Sequence, residues 1–177
     1  MHRLFVAIRP PEPVRDLLID AMDAGADFRW QEDEQLHITL RFIGEVDRPV
    51  ATDIADALAL IRAPRFTIRI NGTGRFEQRS GGALWAGVEP KEPLAALAAK
   101  VERACQAVGL EPERRAYHPH ITLARWKGRR NREVADFLDR TRGVVSEPFE
   151  VDRFILFESR LSRHGAHYEE VAAYPLD

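Results

Sequence analysis

"EQLHITLRFIG" (residues 34–44) and "AYHPHITLARW" (residues 116–126) share the tetrapeptide His-Ile-Thr-Leu, and the reading of this recurrence decides the fold. A bare tetrapeptide repeat is weak evidence, because chance produces such repeats in chains of this length. The flanking order of elements carries more. "RLFVAI" (3–8) predicts a buried strand, and "PEPVRDLLIDAMDAG" (11–25) predicts a helix with prolines at its start and Gly25 as its end. The first copy predicts a strand stopped by Gly44. "DRPVATDIADALALIRA" (47–63) predicts a helix with Val50, Ile54, Ala57, Leu58 and Ile61 on one face, and "RFTIRING" (65–72) an alternating strand.

The order then starts again. "GALWAGVEP" (82–90) predicts a strand, "LAALAAKVERACQAV" (94–108) a helix, the second copy a strand, "NREVADFLDRTRG" (131–143) a short helix, and "FEVDRFILFES" (149–159) a strand. A last strand follows in "AHYEEVAAYPL" (166–176). Thirty-one positions separate Val6 from His37, and 34 separate Ala86 from His120. The tetrapeptide therefore belongs to a longer internal repeat. "NGTGRFEQRSGG" (71–82), rich in glycine and polar residues, predicts a turn and hairpin loop joining the lobes.

Successive strand side chains point to opposite faces, so His37 and Thr39 share a face, as do His120 and Thr122. Ile38 and Ile121 then point into a core. An imidazole moves protons near neutral pH, and a hydroxyl donates to a phosphate oxygen. Two such strands facing each other across a cleft would suit phosphodiester cleavage. One neutral histidine takes a proton from water, one protonated histidine gives a proton to the departing oxygen, and hydroxyls hold the phosphate. No metal is required. His118 and His120 could suggest a metal pair, but Pro119 distorts the strand between them and no spaced Asp/Glu set accompanies them. His118 then reads as a structural residue beside the motif, and His164 and His167 as loop residues.

Composition, 45% apolar and 31% charged, is that of a soluble globular protein. The 177 residues suit one domain made of two small lobes, roughly 1–72 and 83–160, with strand exchange between them. No apolar run reaches membrane-spanning length, and the first residues lack the form of a signal peptide. A cytoplasmic monomer is the expectation. The single cysteine, Cys105, lies on the apolar face of its helix and reads as packed core. The net charge is −2, yet Arg114 to Arg132 holds six arginines, Lys127 and no acid. A basic stretch around the second motif points to an anionic ligand, phosphate first, with a solvated face as the plain alternative.

These motifs resemble the two-histidine phosphoesterases, which carry two His-x-Thr-x motifs. Within that family the chain is most similar to the RNA 2′,3′-cyclic phosphodiesterases, also called 2′-5′ RNA ligases. The resemblance runs through "RLFVAI", "LHITLRFIGEV", "YHPHITLAR" and "LFESRLSRHGAHYEEV", in the family's order. It implies an α+β bilobal fold, duplicated and pseudo-symmetric, with two antiparallel sheets flanked by helices around a central cleft. It implies His37 and His120 as the catalytic pair, His120 as base and His37 as acid, though the symmetric repeat does not decide this by itself. It implies Thr39, Thr122 and Arg125 as phosphate-binding residues. By strict alternation Arg125 faces away from His120, so a bulge or a strand end is needed to bring it round. Arg41, where many members carry a small residue, is expected as an extra phosphate contact or a rim charge. Tyr117 and Tyr168 are expected as rim or base contacts, with Trp30, Trp85, Trp126 and Phe42 as further aromatic candidates. The implied reaction opens a 2′,3′-cyclic phosphate on RNA ends or nucleotides, tRNA fragments among them, to a 2′-phosphate without a cofactor. Run in reverse, the site would join RNA ends through a 2′-5′ bond. The alternatives are another cyclic or 2′-5′ phosphodiester, such as ADP-ribose cyclic phosphate or oligoadenylate, and a non-catalytic RNA-end-binding module.

Overall fold

The computed structural model describes residues 1–22 and 27–177. The helix end expected at Gly25 lies outside the described residues. The strands are β1 (His2–Ile8), β2 (Arg29–Trp30), β3 (Ile38–Val46), β4 (Phe66–Gln78), β5 (Gly81–Glu89), β6 (His120–Lys127), β7 (Phe149–Val151), β8 (Arg153–Ser162) and β9 (Gly165–Pro175). The helices are α1 (Glu12–Ala21), α2 (Arg48–Leu58), α3 (Glu92–Ala107) and α4 (Asn131–Arg140), with a 3-10 turn at Asp33–Gln35. Every strand pairing is antiparallel, in the order β7-β4-β5-β6-β3-β1-β8-β9, with β2 also on β6. The fold is α+β, and the sheet curls strongly.

The helices start and bury as their sequences dictate. Asp47 caps α2, its carboxylate accepting from the Val50 N–H at 3.1 Å, and proline occupies the first turn of α1, α2 and α3. The buried side chains recur at helical spacing: Ile54 and Leu58 on α2, and Leu94, Leu97, Ala98, Val101 and Cys105 on α3. Helices α2 and α3 pack together behind β1 and β3. On the other side α4 packs on β4, and Arg140 donates to the Ala21 carbonyl at the end of α1 at 3.0 Å. Burial pushes the Cys105 thiol up to about 11, as expected of a packed core thiol.

The sheet is nearly two sheets. Strands β3 and β6 are joined by one residue pair, Ile38 opposite Ile121, and both side chains are fully buried. On one side of this seam lie β3-β1-β8-β9, and on the other β6-β5-β4-β7. The third strand of each repeat unit crosses over: β4 pairs with β5 of the second unit, and β8 with β1 of the first.

The segment 71–82 forms the expected hairpin, but most of it is strand and not loop. β4 runs on to Gln78 and pairs with β5 down to Gly81, leaving a two-residue turn at Arg79 and Ser80. The glycines mark close approach instead of a loop. Gly74 lies opposite Trp85, and a Cβ there would overlap the indole ring.

A second correction concerns Arg41. In both motif strands the register slips by one residue at the leucine that ends the tetrapeptide. Val6 faces Arg41 and Ala7 faces Thr39, which leaves Leu40 as the extra residue. Likewise Leu84 faces Ala124 and Trp85 faces Thr122, which leaves Leu123 extra. A bulge of this kind reverses the alternation beyond it. Arg41 therefore turns to the core side, where it is 8% exposed, and Phe42 turns out, 46% exposed, with the Arg3 guanidinium over its ring. The Arg41 guanidinium pairs with Glu102 of α3 at 2.9 Å and donates to the carbonyls of Phe42 and Glu111. It is neither a phosphate contact nor a rim charge, and its role is to tie β3 to α3.

Replacing Arg41 by Met leaves the partly exposed Glu102 carboxylate with the Glu113 N–H as its remaining partner and should cost about 2 kcal/mol in urea unfolding. Turnover per folded molecule should stay within twofold of the parent. A raised KM with unchanged stability would restore Arg41 to the site.

Candidate active site

The bulge at Leu123 does for Arg125 the opposite of what the one at Leu40 does for Arg41. Ala124 is buried, and Arg125 emerges on the face that carries His120 and Thr122. This resolves the alternation problem posed by the sequence. Position 125 in the second strand corresponds to Phe42 in the first, so one half presents an arginine where the other presents an aromatic ring.

Extending the Ile38–Ile121 register by one residue each way sets His37 beside Thr122 and Thr39 beside His120. The four side chains thus emerge on one face at the seam, where the charge of His120 is felt at His37. The hydroxyls of Thr39 and Thr122 make no hydrogen bond among the described residues, and both side chains are partly exposed. They are free to donate to an anion.

Both imidazoles are held in the same way. His37 Nδ1 lies 2.7 Å from the carbonyl oxygen of Gln35, and His120 Nδ1 lies 2.6 Å from that of His118. A carbonyl oxygen only accepts, so Nδ1 carries the proton and Nε2 is the nitrogen left for chemistry. Each clamp is itself braced. The Gln35 side chain donates to the Ala166 carbonyl at the β8–β9 hairpin and accepts from the Glu32 N–H, while Arg9 donates to the Glu34 carbonyl. Behind His120 the clamp runs through buried Pro119, whose ring restricts the backbone between carbonyl and imidazole. His118 thus acts through its backbone, as a structural residue beside the motif.

Aromatic rings wall each histidine. Phe5 lies 4.9 Å from His37 between ring centres, and Tyr168 meets it edge-on at 5.5 Å. Phe76 meets His120 edge-on at 4.9 Å, with Trp85 at 6.4 Å. Phe5, Ala7, Ile155 and Phe157 form a small apolar cluster of their own on this side of the sheet, separate from the main core. Burial pushes His37 down from its ordinary 6.5 to about 4, aided by the charges of His120, Arg125 and Arg9 and opposed by the Gln35 hydrogen bond. His120 is also lowered, chiefly by burial and then by Arg125 and His118. Arg125 is thus felt at both imidazoles.

Of the residues singled out from the sequence, His37, His120, Thr39, Thr122, Arg125 and Tyr168 gather here. Tyr117 does not serve as a rim contact. Its hydroxyl donates to the Thr39 carbonyl at 2.9 Å, and burial raises its pKa. It is a strut between the two motif strands. Trp126 is buried and Trp30 packs against Phe137, so neither offers a free face. Phe5 and Phe76 were not singled out from the sequence. The signal for Phe76 was Gly74, a glycine in a strand pattern that marks Trp85 folding over β4.

The profile of the 2′-5′ RNA ligase superfamily matches residues 10–163. An RNA 2′,3′-cyclic phosphodiesterase of Aeropyrum pernix is 41% identical, the match covering 82% of this chain and 84% of that protein. One from Methanothermobacter thermautotrophicus is 31% identical, with 98% of each chain covered. Among solved structures, Escherichia coli LigT complexed with 3′-AMP superposes with a TM-score of 0.80 at 25% identity, covering 99% of this chain and 98% of that one. The motif strands, the crossed third strands and these likenesses agree: the chain belongs to the 2′-5′ RNA ligase superfamily.

Proposed function

We propose that this protein is an RNA 2′,3′-cyclic phosphodiesterase that opens the ring by general acid–base catalysis between His37 and His120. The observation that carries the reading is the paired clamp, which gives two imidazoles the same tautomer and leaves both Nε2 atoms available beside two unengaged threonine hydroxyls. Thr39, Thr122 and Arg125 hold the phosphate oxygens. Neutral His120 takes a proton from water as the water oxygen bonds to phosphorus. The phosphorus–O3′ bond breaks on the far side, and the 3′-oxygen takes the proton of the His37 imidazolium. The product is a 2′-phosphate beside a free 3′-hydroxyl. The assignment of base and acid follows the family resemblance, and the near-symmetry of the two halves permits the reverse step. A 5′-hydroxyl in place of water would yield a 2′-5′ linkage without ATP. Tyr168 and Phe76, the latter 40% exposed, line the site where a base would lie. The lone buried cysteine suits a reducing cytoplasm, and we place the enzyme there as a monomer acting on RNA fragments, those of tRNA included.

Incubation with nucleoside 2′,3′-cyclic phosphates should yield 2′-phosphates at a rate indifferent to EDTA. His37→Ala and His120→Ala should each lower kcat by about 100- to 10,000-fold. A 3′-phosphate product, or RNA binding without turnover, would overturn the reading.

The pH profile carries a sign. The free enzyme holds both histidines below 6.5, so above that pH the protonated acid becomes scarce and kcat/KM should fall about tenfold per pH unit. Bound phosphate, an anion, favours the imidazolium, so the alkaline limb of kcat should lie at higher pH than that of kcat/KM. Coincident limbs would show that phosphate does not sit against the pair.

A further inference from the structure

The cleft face of β6 continues past the histidine. Beyond the bulge, Arg125 and Lys127 alternate with buried Trp126, so both point the same way as Thr122. Successive cleft-facing residues on a strand lie about 6.6 Å apart. Beside this row runs a low floor on β5, with Ala83 opposite Arg125 and Gly81 opposite Lys127. A side chain at Gly81 has no room, because a Cβ there would overlap the Trp126 carbonyl oxygen. Beyond the floor stands Phe76 of β4, opposite Ala83.

The other flank is more telling. Arg29 of β2 sits directly opposite Arg125 in register, and both are exposed. Like charges placed directly opposite in a sheet repel. Neither guanidinium has an acid within ion-pair distance among the described residues, nor has Lys127. The nearby Asp27 carboxylate is taken by Arg130 at 2.8 Å. Elsewhere on the surface Arg15, Arg69, Arg142 and Arg160 pair with carboxylates while Arg48, Arg79 and Arg103 have no such partner among the described residues, so it is the alignment of Arg29, Arg125 and Lys127 beside the motif that marks this row. These cations, without an acid partner among the described residues, form a short track that leads from the histidine pair to the open end of β6.

We propose that Arg29 and Lys127 bind the backbone phosphates that precede the cyclic end, so that β6 is a phosphate track and the favoured substrate is an RNA strand over a mononucleotide. This rests on the function proposed above. The cyclic phosphate lies at Thr122 and Arg125, and the next phosphates along the strand meet Arg29 and Lys127 over the Ala83–Gly81 floor. Repulsion between Arg29 and Arg125 is relieved when an anion lies between them. The contacts read charge alone, so they carry no sequence preference.

The test compares two substrates in one set of variants. Arg29→Gln, Lys127→Gln and the double variant are assayed on cytidine 2′,3′-cyclic monophosphate and on a ten-nucleotide RNA ending in the same group. The double variant should lose about tenfold or more in kcat/KM on the RNA at low salt, and stay within twofold on the mononucleotide. The slope of log kcat/KM against log salt for the RNA should flatten by about 1.4, or 0.7 for each phosphate contact removed. Equal losses on both substrates, or no loss on either, would overturn the track. Inactivity of the parent protein on both substrates would instead sink the proposed function itself, so the two failures are distinguishable. Glutamine keeps length and polarity at these exposed positions, and a circular dichroism melt matching the parent confirms that the variants fold.

Discussion

Ile38 opposite Ile121 is the only pairing between the two halves of the sheet among the described residues, and the site is laid out from that pair. Both isoleucines point into the core with no exposed surface, which fixes the histidines and threonines on the opposite face. A slip of one residue in either strand would bury His37 and Thr39, or His120 and Thr122, and turn isoleucine to water. The hydrophobic cost of such a slip is what holds the four polar groups in register. The two sheet halves share this one strand pairing, while the Tyr117–Thr39 hydrogen bond and the Arg41–Glu102 pair tie them elsewhere.

The leucine bulges add the asymmetry that a repeat lacks. Both strands carry the same insertion at the same letter, yet the residues that follow differ. In one half an arginine reaches the face of the histidine and threonine, and in the other an arginine turns inward to Glu102 while Phe42 takes the outer position. Two equivalent histidines therefore sit in an unequal field. His37 is enclosed by Phe5, Tyr168 and the braced 3-10 turn, and burial lowers its pKa to about 4, while His120 is lowered beside Phe76 and Arg125.

Much of this was legible in the sequence because it rests on periodicity. The order of strands and helices, the alternation that pairs His with Thr, and the buried face of the Cys105 helix all follow from residue spacing. Arg41 was misplaced for the reason that Arg125 was puzzling. A bulge leaves no mark in composition, since leucine fits a regular strand as well as a bulged one. Tyr117 illustrates a second limit, because its partner is a backbone carbonyl 78 residues away in the chain. Most of 71–82 was read as hairpin loop because glycine is common there, whereas here the Trp85 and Trp126 rings occupy the space that side chains at Gly74 and Gly82 would need. The carbonyl clamps were equally invisible, although their two-residue offset is the same in both halves.

The central claim is that water attacks phosphorus directly while the two histidines only move protons. Histidine can also act as a nucleophile, and a phosphohistidine route would use the same two residues. Hydrolysis of a single diastereomer of a nucleoside 2′,3′-cyclic phosphorothioate in oxygen-18 water separates the two, read by the configuration at phosphorus in the product. Direct in-line attack predicts inversion. Retention would mean two displacements through a covalent histidine intermediate, and would contradict the account.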